Sequence, residues 1–295
     1  MTHPLRSAAA LALGAAVSLG LARFSYALML PPMRESLGWS YTVAGAMNTV
    51  NALGYLLGAL AMPAAMARWG AQRVLVAGSL GAALTLALHG FTTSDALLYL
   101  LRLLCGVASA ASFVAGGVLA ALLASVAAQP GLVLGLFYGG TGLGIVACAL
   151  GLPPLLARAQ PLAWQSGWWL LAALALAATP VMAAGARAAP PPRAASGEKR
   201  ALALRPLAFG LAGYAMFGVG YIGYMTFIVS LLREQQMSTP VIAAFYALLG
   251  LGVIASPWLW AGLLQRARGG GALALLNALL AVATALPVLA PLPLP

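Results

Sequence analysis

Two arginines stand inside stretches that otherwise carry no charge: Arg23 in "LGLARFSYALML" and Arg102 in "LLYLLRLLCGVASAAS". A guanidinium stays charged in a protein and presents a planar fork of N–H donors, so its chemistry is the recognition of carboxylates and similar anions. Partners for it are scarce. The carboxylates of the chain are Glu35, Asp95, Glu198 and Glu234, and all fall in polar connections or at the ends of apolar runs. The two arginines must therefore be served by carbonyls, by water, by an acid on a further span, or by an anionic ligand.

The remaining reactive side chains do not assemble a catalyst. His3 and His89 lie near the ends of runs, and Cys105 and Cys148 lie inside apolar runs, where small inert packing groups are the simplest reading. No nucleophile with a base, no carboxylate pair and no metal-ligand spacing occurs, nor does a G-x-x-x-x-G-K-[ST] phosphate loop. The expectation is a non-enzyme without metal, cofactor or ATP.

The elements that position the arginines follow from composition. Hydrophobic residues make up 63% of the chain and charged residues 6%, against about 25% charged in a soluble domain. Apolar runs long enough to cross a bilayer recur at about 7–30, 41–64, 74–91, 96–125, 131–156, 165–184, 207–231, 240–263 and 272–290, which reads as an all-α polytopic membrane protein. The first run continues past any signal-peptide cleavage site, so it is read as a span. The connections alternate in charge. One side holds Arg6, Arg68, Arg73, Arg187, Arg193, Lys199, Arg200, Arg205, Arg266 and Arg268, and the other only Arg34, Arg158 and Arg233, which makes the N-terminus cytoplasmic. The same scatter accounts for the net charge of +11 by contact with anionic lipid rather than nucleic acid. Residues 185–206, "GARAAPPPRAASGEKRALALRP", are too polar and proline-rich to span and read as a cytoplasmic linker.

The chain restarts its pattern after that linker. "MRESLGWS" at the outer end of the first span is echoed 199 residues on by "LREQQMST", and "ARWG" at 67–70 by "ARGG" at 267–270. Two parallel repeats around a central loop resemble the Major Facilitator Superfamily. "PAAMARWGAQRV" is similar to that superfamily's loop after span two, with Ala67 where an acid is usual, and "LRLLCGVASAAS" carries its R-x-x-x-G in span four. "ARFSYALMLPPMRESLGWS", "NALGYLLGAL", "GYIGYMTFIVSLLRE" and "SPWLWAGLL" resemble the YbfB/YjiJ-type branch. The resemblance implies a six-helix bundle over 1–184, the linker at 185–206 and a second bundle over 207–295 that holds three of the usual six spans. It also implies a secondary transporter of the bacterial inner membrane, moving a small organic solute by alternating access. A truncated chain that transports nothing is the alternative, and a monomer with membrane lipids around it is the expected state.

The resemblance places spans one and four at the central cavity. Arg23, eight residues before Pro31, and Arg102, seven after Asp95, would sit at matching depths of about 12 and 10 Å, both facing water, with Arg23 the better candidate for an organic anion. Tyr26, Tyr55, Asn48, Asn51, Tyr138, Tyr221 and Tyr224 are expected as polar lining, Asn48 and Asn51 on one face of span two. Arg68, Gly70 and Arg73 would form a gating loop. Gly135, Gly139 and Gly142 allow close helix approach, and Trp39, Trp164, Trp168 and Trp169 read as interfacial anchors.

Overall fold

The computed structural model describes residues 4–157, 162–191, 208–266 and 270–289, with side chains described throughout except at 261, 262, 264–266 and 287–289. Among these the chain is helical: α1 (Pro4–Leu37), α2 (Tyr41–Trp69), α3 (Ala71–His89), α4 (Asp95–Ala124), α5 (Pro130–Leu156), α6 (Ala163–Ala186), α7 (Ala208–Glu234), α8 (Thr239–Arg266) and α9 (Gly271–Leu289). Eight are long and apolar enough to cross a membrane, and the ninth is a shorter apolar helix over Gly271–Leu286. Most of the expected linker, residues 192–206, and positions 267–269 of the second loop lie outside the described residues.

The helix ends follow from local chemistry. Gly38 takes a φ of +67°, open to a residue without Cβ, and the Trp39 N–H donates to the Arg34 carbonyl at 3.0 Å, which closes α1. Ser40 then starts α2 by accepting the Val43 N–H at 3.2 Å. The echo of this stretch behaves alike: Gln236 has a φ of +62°, and the Met237 N–H donates to the Leu232 carbonyl at 3.0 Å. One boundary differs from expectation. α1 runs on through Pro31 and Pro32 to Leu37 rather than stopping at residue 30, because Leu28, Met29, Leu30 and Met33 are all buried. Packing of that segment outweighs the hydrogen bonds that the prolines delete.

α1 is the most enclosed of the eight spans, two thirds of the residues in its apolar window being buried, and α4, α5 and α6 pack around it. Small residues set the distances. A Cβ on Gly58 of α2 would stand 2.8 Å from the Cβ of Ala110 on α4, so these two helices cross nearly backbone to backbone. α7 and α8 join this group along two seams. Gly135, Gly139 and Gly142 of α5 face Pro257, Ile254 and Gly250 of α8. At the Gly38 end, Tyr41 of α2 donates to Glu234 of α7, with Arg34 stacked on the Tyr41 ring at 4.2 Å and Phe227 edge-on at 5.9 Å. α7 is buried at Ile228 and Val229 but leaves the bundle toward its other end, where Phe209, Tyr214, Met216 and Val219 are more than half exposed.

The tryptophans correct the sequence reading. Trp39, Trp164 and Trp168 are 5% exposed or less, whereas Trp169 is exposed. Trp39 donates to Asp95 at 2.8 Å, and Trp168 stacks on His89 at 4.5 Å; they hold helices together instead of anchoring the bundle to lipid.

The α5–α8 seam yields a test. A Cβ on Gly250 would lie 2.8 Å from both the Gly142 carbonyl and the Val146 side chain, so Gly250→Val should force the helices apart and destabilise the protein by about 1–3 kcal/mol. Thermal unfolding in detergent should show a lowered midpoint, while Gly252→Val, at a position with open space around it, should leave it near that of the parent.

Candidate functional site

The site is organised by an irregular stretch of α1. Ala16–Phe24 is wound as a π-helix, with the Ser25 N–H reaching the Gly20 carbonyl. Such a segment is wider than an α-helix and occurs most often where a helix does something specific. Its carbonyls are taken by side chains from three other helices. Arg102 of α4 donates from Nη1 to the Ala22 carbonyl at 3.1 Å, Tyr246 of α8 donates to the Phe24 carbonyl at 2.6 Å, and Cys148 of α5 lies 3.8 Å from the Gly20 carbonyl.

Arg102 is 1% exposed. Besides Ala22 it donates from Nη2 to Asn48 Oδ1 at 3.3 Å and from Nε to the Met47 carbonyl at 3.5 Å. Its guanidinium lies 4.7 Å from the Tyr26 ring centre and 5.9 Å from that of Trp168, so two aromatic faces complete the cage. Asn51 Nδ2 donates to the backbone carbonyl of Arg102 at 3.0 Å, and Tyr26 donates to the Ala44 carbonyl at 2.8 Å. Tyr26, Asn48, Asn51 and Arg102 are thus brought together, but as a packed knot.

Arg23 has different surroundings. It leaves the same π-helix half-buried, 5.9 Å from the Tyr55 ring, and lines a cleft of about 10 Å³ with Phe24, Asn48, Tyr221 and Thr226. Among the described residues its guanidinium makes no hydrogen bond, in contrast to the three that hold Arg102. Next to this cleft, a cavity of about 600 Å³ opens between α1 and α5 on one side and α7, α8 and α9 on the other. Tyr138, Tyr221 and Tyr224 line it, and the rest of its wall is mostly aliphatic.

Asn48 bridges the two groups of helices. While its Oδ1 accepts from Arg102, its Nδ2 donates to Thr226 Oγ1 of α7 at 2.7 Å. Residues 15–294 match the family described as "Uncharacterised MFS-type transporter YbfB". The chain belongs to this branch of the Major Facilitator Superfamily. It is a multi-pass integral membrane protein of the transporter class. No curated protein matches the chain.

In this superfamily member the loop between α2 and α3 is one residue long, Gly70 with a φ of +81°. Arg68 stacks on Trp69 at 5.6 Å, and Gln72 donates to the Ala186 carbonyl at 3.0 Å. Arg73 lies in the first turn of α3, and positions 267–269 of the second loop lie outside the described residues. Sequence reasoning missed Thr226, Tyr246 and the aromatic face of Trp168. For Thr226 the signal was a hydroxyl inside the otherwise apolar "GYMTFIVS"; for the π-helix, sequence offered none.

The knot should respond to chemistry rather than charge alone. Arg102→Lys keeps the cation but cannot reach the Ala22 carbonyl and Asn48 together or lie flat against two rings. It should lower stability by about 1–3 kcal/mol, read as an earlier thermal midpoint, while Arg23→Lys leaves the midpoint within error.

Proposed function

We propose that this protein is a secondary transporter that moves a small organic anion across a bacterial-type inner membrane by alternating access, with Arg23 as the anion-binding group. The observation that carries the reading is the difference between the two arginines. Arg102 is provided with carbonyl, amide and aromatic partners, whereas Arg23, one residue from the carbonyl that Arg102 grips, faces the junction between the helix groups beside the Tyr55 ring and, among the described residues, without a hydrogen bond of its own. A cation kept at membrane depth without a protein acceptor calls for one that arrives from outside.

The reading assigns 1–184 to one bundle, 185–206 to a cytoplasmic linker and 207–295 to the second, with the N-terminus inside. The described conformation then corresponds to a state closed at the outer end, where Tyr41 meets Glu234, and parted at the inner end, where α7 is exposed. Tyr55, Tyr138, Tyr221 and Tyr224 supply hydroxyls to the path. Arg68, Gly70 and Arg73 act as a gating loop in the opposite state. The glycine seam between α5 and α8 is the surface on which the bundles rock.

The test is counterflow of malonate, citrate and benzenesulfonate into proteoliposomes of the purified protein. At least one should enter saturably, and Arg23→Ala should reduce its initial rate about tenfold or more, the equivalent of one charge-assisted hydrogen bond of about 1.5–3 kcal/mol. Equal rates in parent and variant would contradict the assignment.

A further inference from the structure

We infer that the site takes an amphipathic monoanion, a single carboxylate or sulfonate on an aryl or alkyl body, and that Tyr221 is the partition this ligand displaces to bring its charge to Arg23. The inference rests on the anion reading above and narrows it.

Two spaces of opposite character share a wall. The cleft beside Arg23 is about 10 Å³, about the room one water needs, so it cannot admit a carboxylate as it stands. The neighbouring cavity is about 600 Å³, within the range that encloses a small organic molecule. Phe24, Tyr221 and Met225 belong to both. A ligand whose body occupies the large space therefore lies one side chain away from the guanidinium.

The lining decides how many charges such a ligand can carry. Leu19, Ile145, Leu248, Leu249, Val253 and Leu280 form much of the cavity wall, and no charged residue is among its described lining. A second carboxylate would meet only neutral hydroxyls there, those of Thr141, Thr284 and the lining tyrosines, with no opposite charge to offset its desolvation. Arg102 is not available to receive it, being enclosed and already donating to Ala22 and Asn48. One guanidinium at one edge of an apolar chamber matches one charge at one end of an apolar body.

Tyr221 is built as a movable leaf. Its ring meets Phe24 edge-on at 6.0 Å and stacks on Phe217 at 5.2 Å, and Phe217 in turn meets Tyr214 at 5.8 Å. This ladder runs up α7 toward the exposed end of that helix, where Tyr214 is 67% exposed. Contacts between rings give way to rotation more readily than the hydrogen-bonded knot around Arg102 does. Swinging Tyr221 aside joins the cleft to the cavity.

The experiment is equilibrium and stopped-flow binding to the purified full chain with three probes of one shape: naphthalenesulfonate, naphthalenedisulfonate and the neutral naphthalenesulfonamide. Naphthalenesulfonate should bind at least tenfold more tightly than either relative. Arg23→Gln should erase that preference, Arg23→Lys should retain it, and Tyr221→Ala should raise the association rate at least threefold. If the disulfonate binds as tightly as the monosulfonate and both depend on Arg23, the monoanion class is overturned while the anion reading stands. If the sulfonamide binds as tightly as the sulfonate and Arg23→Gln changes nothing, the anion reading falls as well. An unchanged association rate in Tyr221→Ala, with the preference intact, overturns the partition. Monodisperse elution of each variant, with Arg23→Lys as the charged reference, separates these outcomes from misfolding.

Discussion

The bond from Arg102 to the carbonyl of Ala22 is the contact on which the rest of the site depends. A guanidinium removed from water without a carboxylate costs several kcal/mol, and here the offset comes from two backbone carbonyls, one amide oxygen and two aromatic faces. These partners come from α1, α2 and α6, so those three helices and α4 are fixed around one charge. The π-helical winding of Ala16–Phe24 belongs to the same arrangement. It turns the carbonyls of Ala22 and Phe24 into acceptors for α4 and α8, and it sets the backbone from which Arg23 departs toward Tyr55 and α7.

That geometry links the knot to the junction between the helix groups. Asn48 uses both ends of its amide, one toward Arg102 and one toward Thr226 of α7, while Tyr246 of α8 grips α1 at the carbonyl of Phe24, the residue after Arg23. The polar ties are few and lie toward the Gly38 end; the α5–α8 seam is a contact of glycines, a proline and an isoleucine without polar side chains. A junction pinned by a handful of hydrogen bonds and lubricated by a smooth surface is consistent with the rocking motion proposed for the transporter.

Much of the fold was legible in the sequence, because membrane helices announce themselves by length, composition and the glycines, prolines and charges between them. The paired stretches ending in Trp39 and in Met237 were visible as a repeat, and each closes its helix with the same long backward hydrogen bond. The grouping of Asn48 with Asn51 was legible from helical spacing, and both meet Arg102. What spacing could not reveal was which arginine is enclosed. Both lie at similar depth in apolar runs, and the difference arises from a change in helix winding and from aromatic side chains of α6 distant in the chain. The tryptophans were misread for the same reason: a position near a helix end does not say whether the side chain turns toward lipid or inward.

The most direct test of the account is the guanidinium nitrogen spectrum of the protein in lipid nanodiscs as naphthalenesulfonate is titrated, with resonances assigned by Arg23→Lys and Arg102→Lys. The account predicts that the Arg23 signal moves with saturating ligand while the Arg102 signal, already enclosed, stays in place. Movement of Arg102 with Arg23 unchanged would contradict it, by showing that the caged arginine, and not the open one, receives the anion.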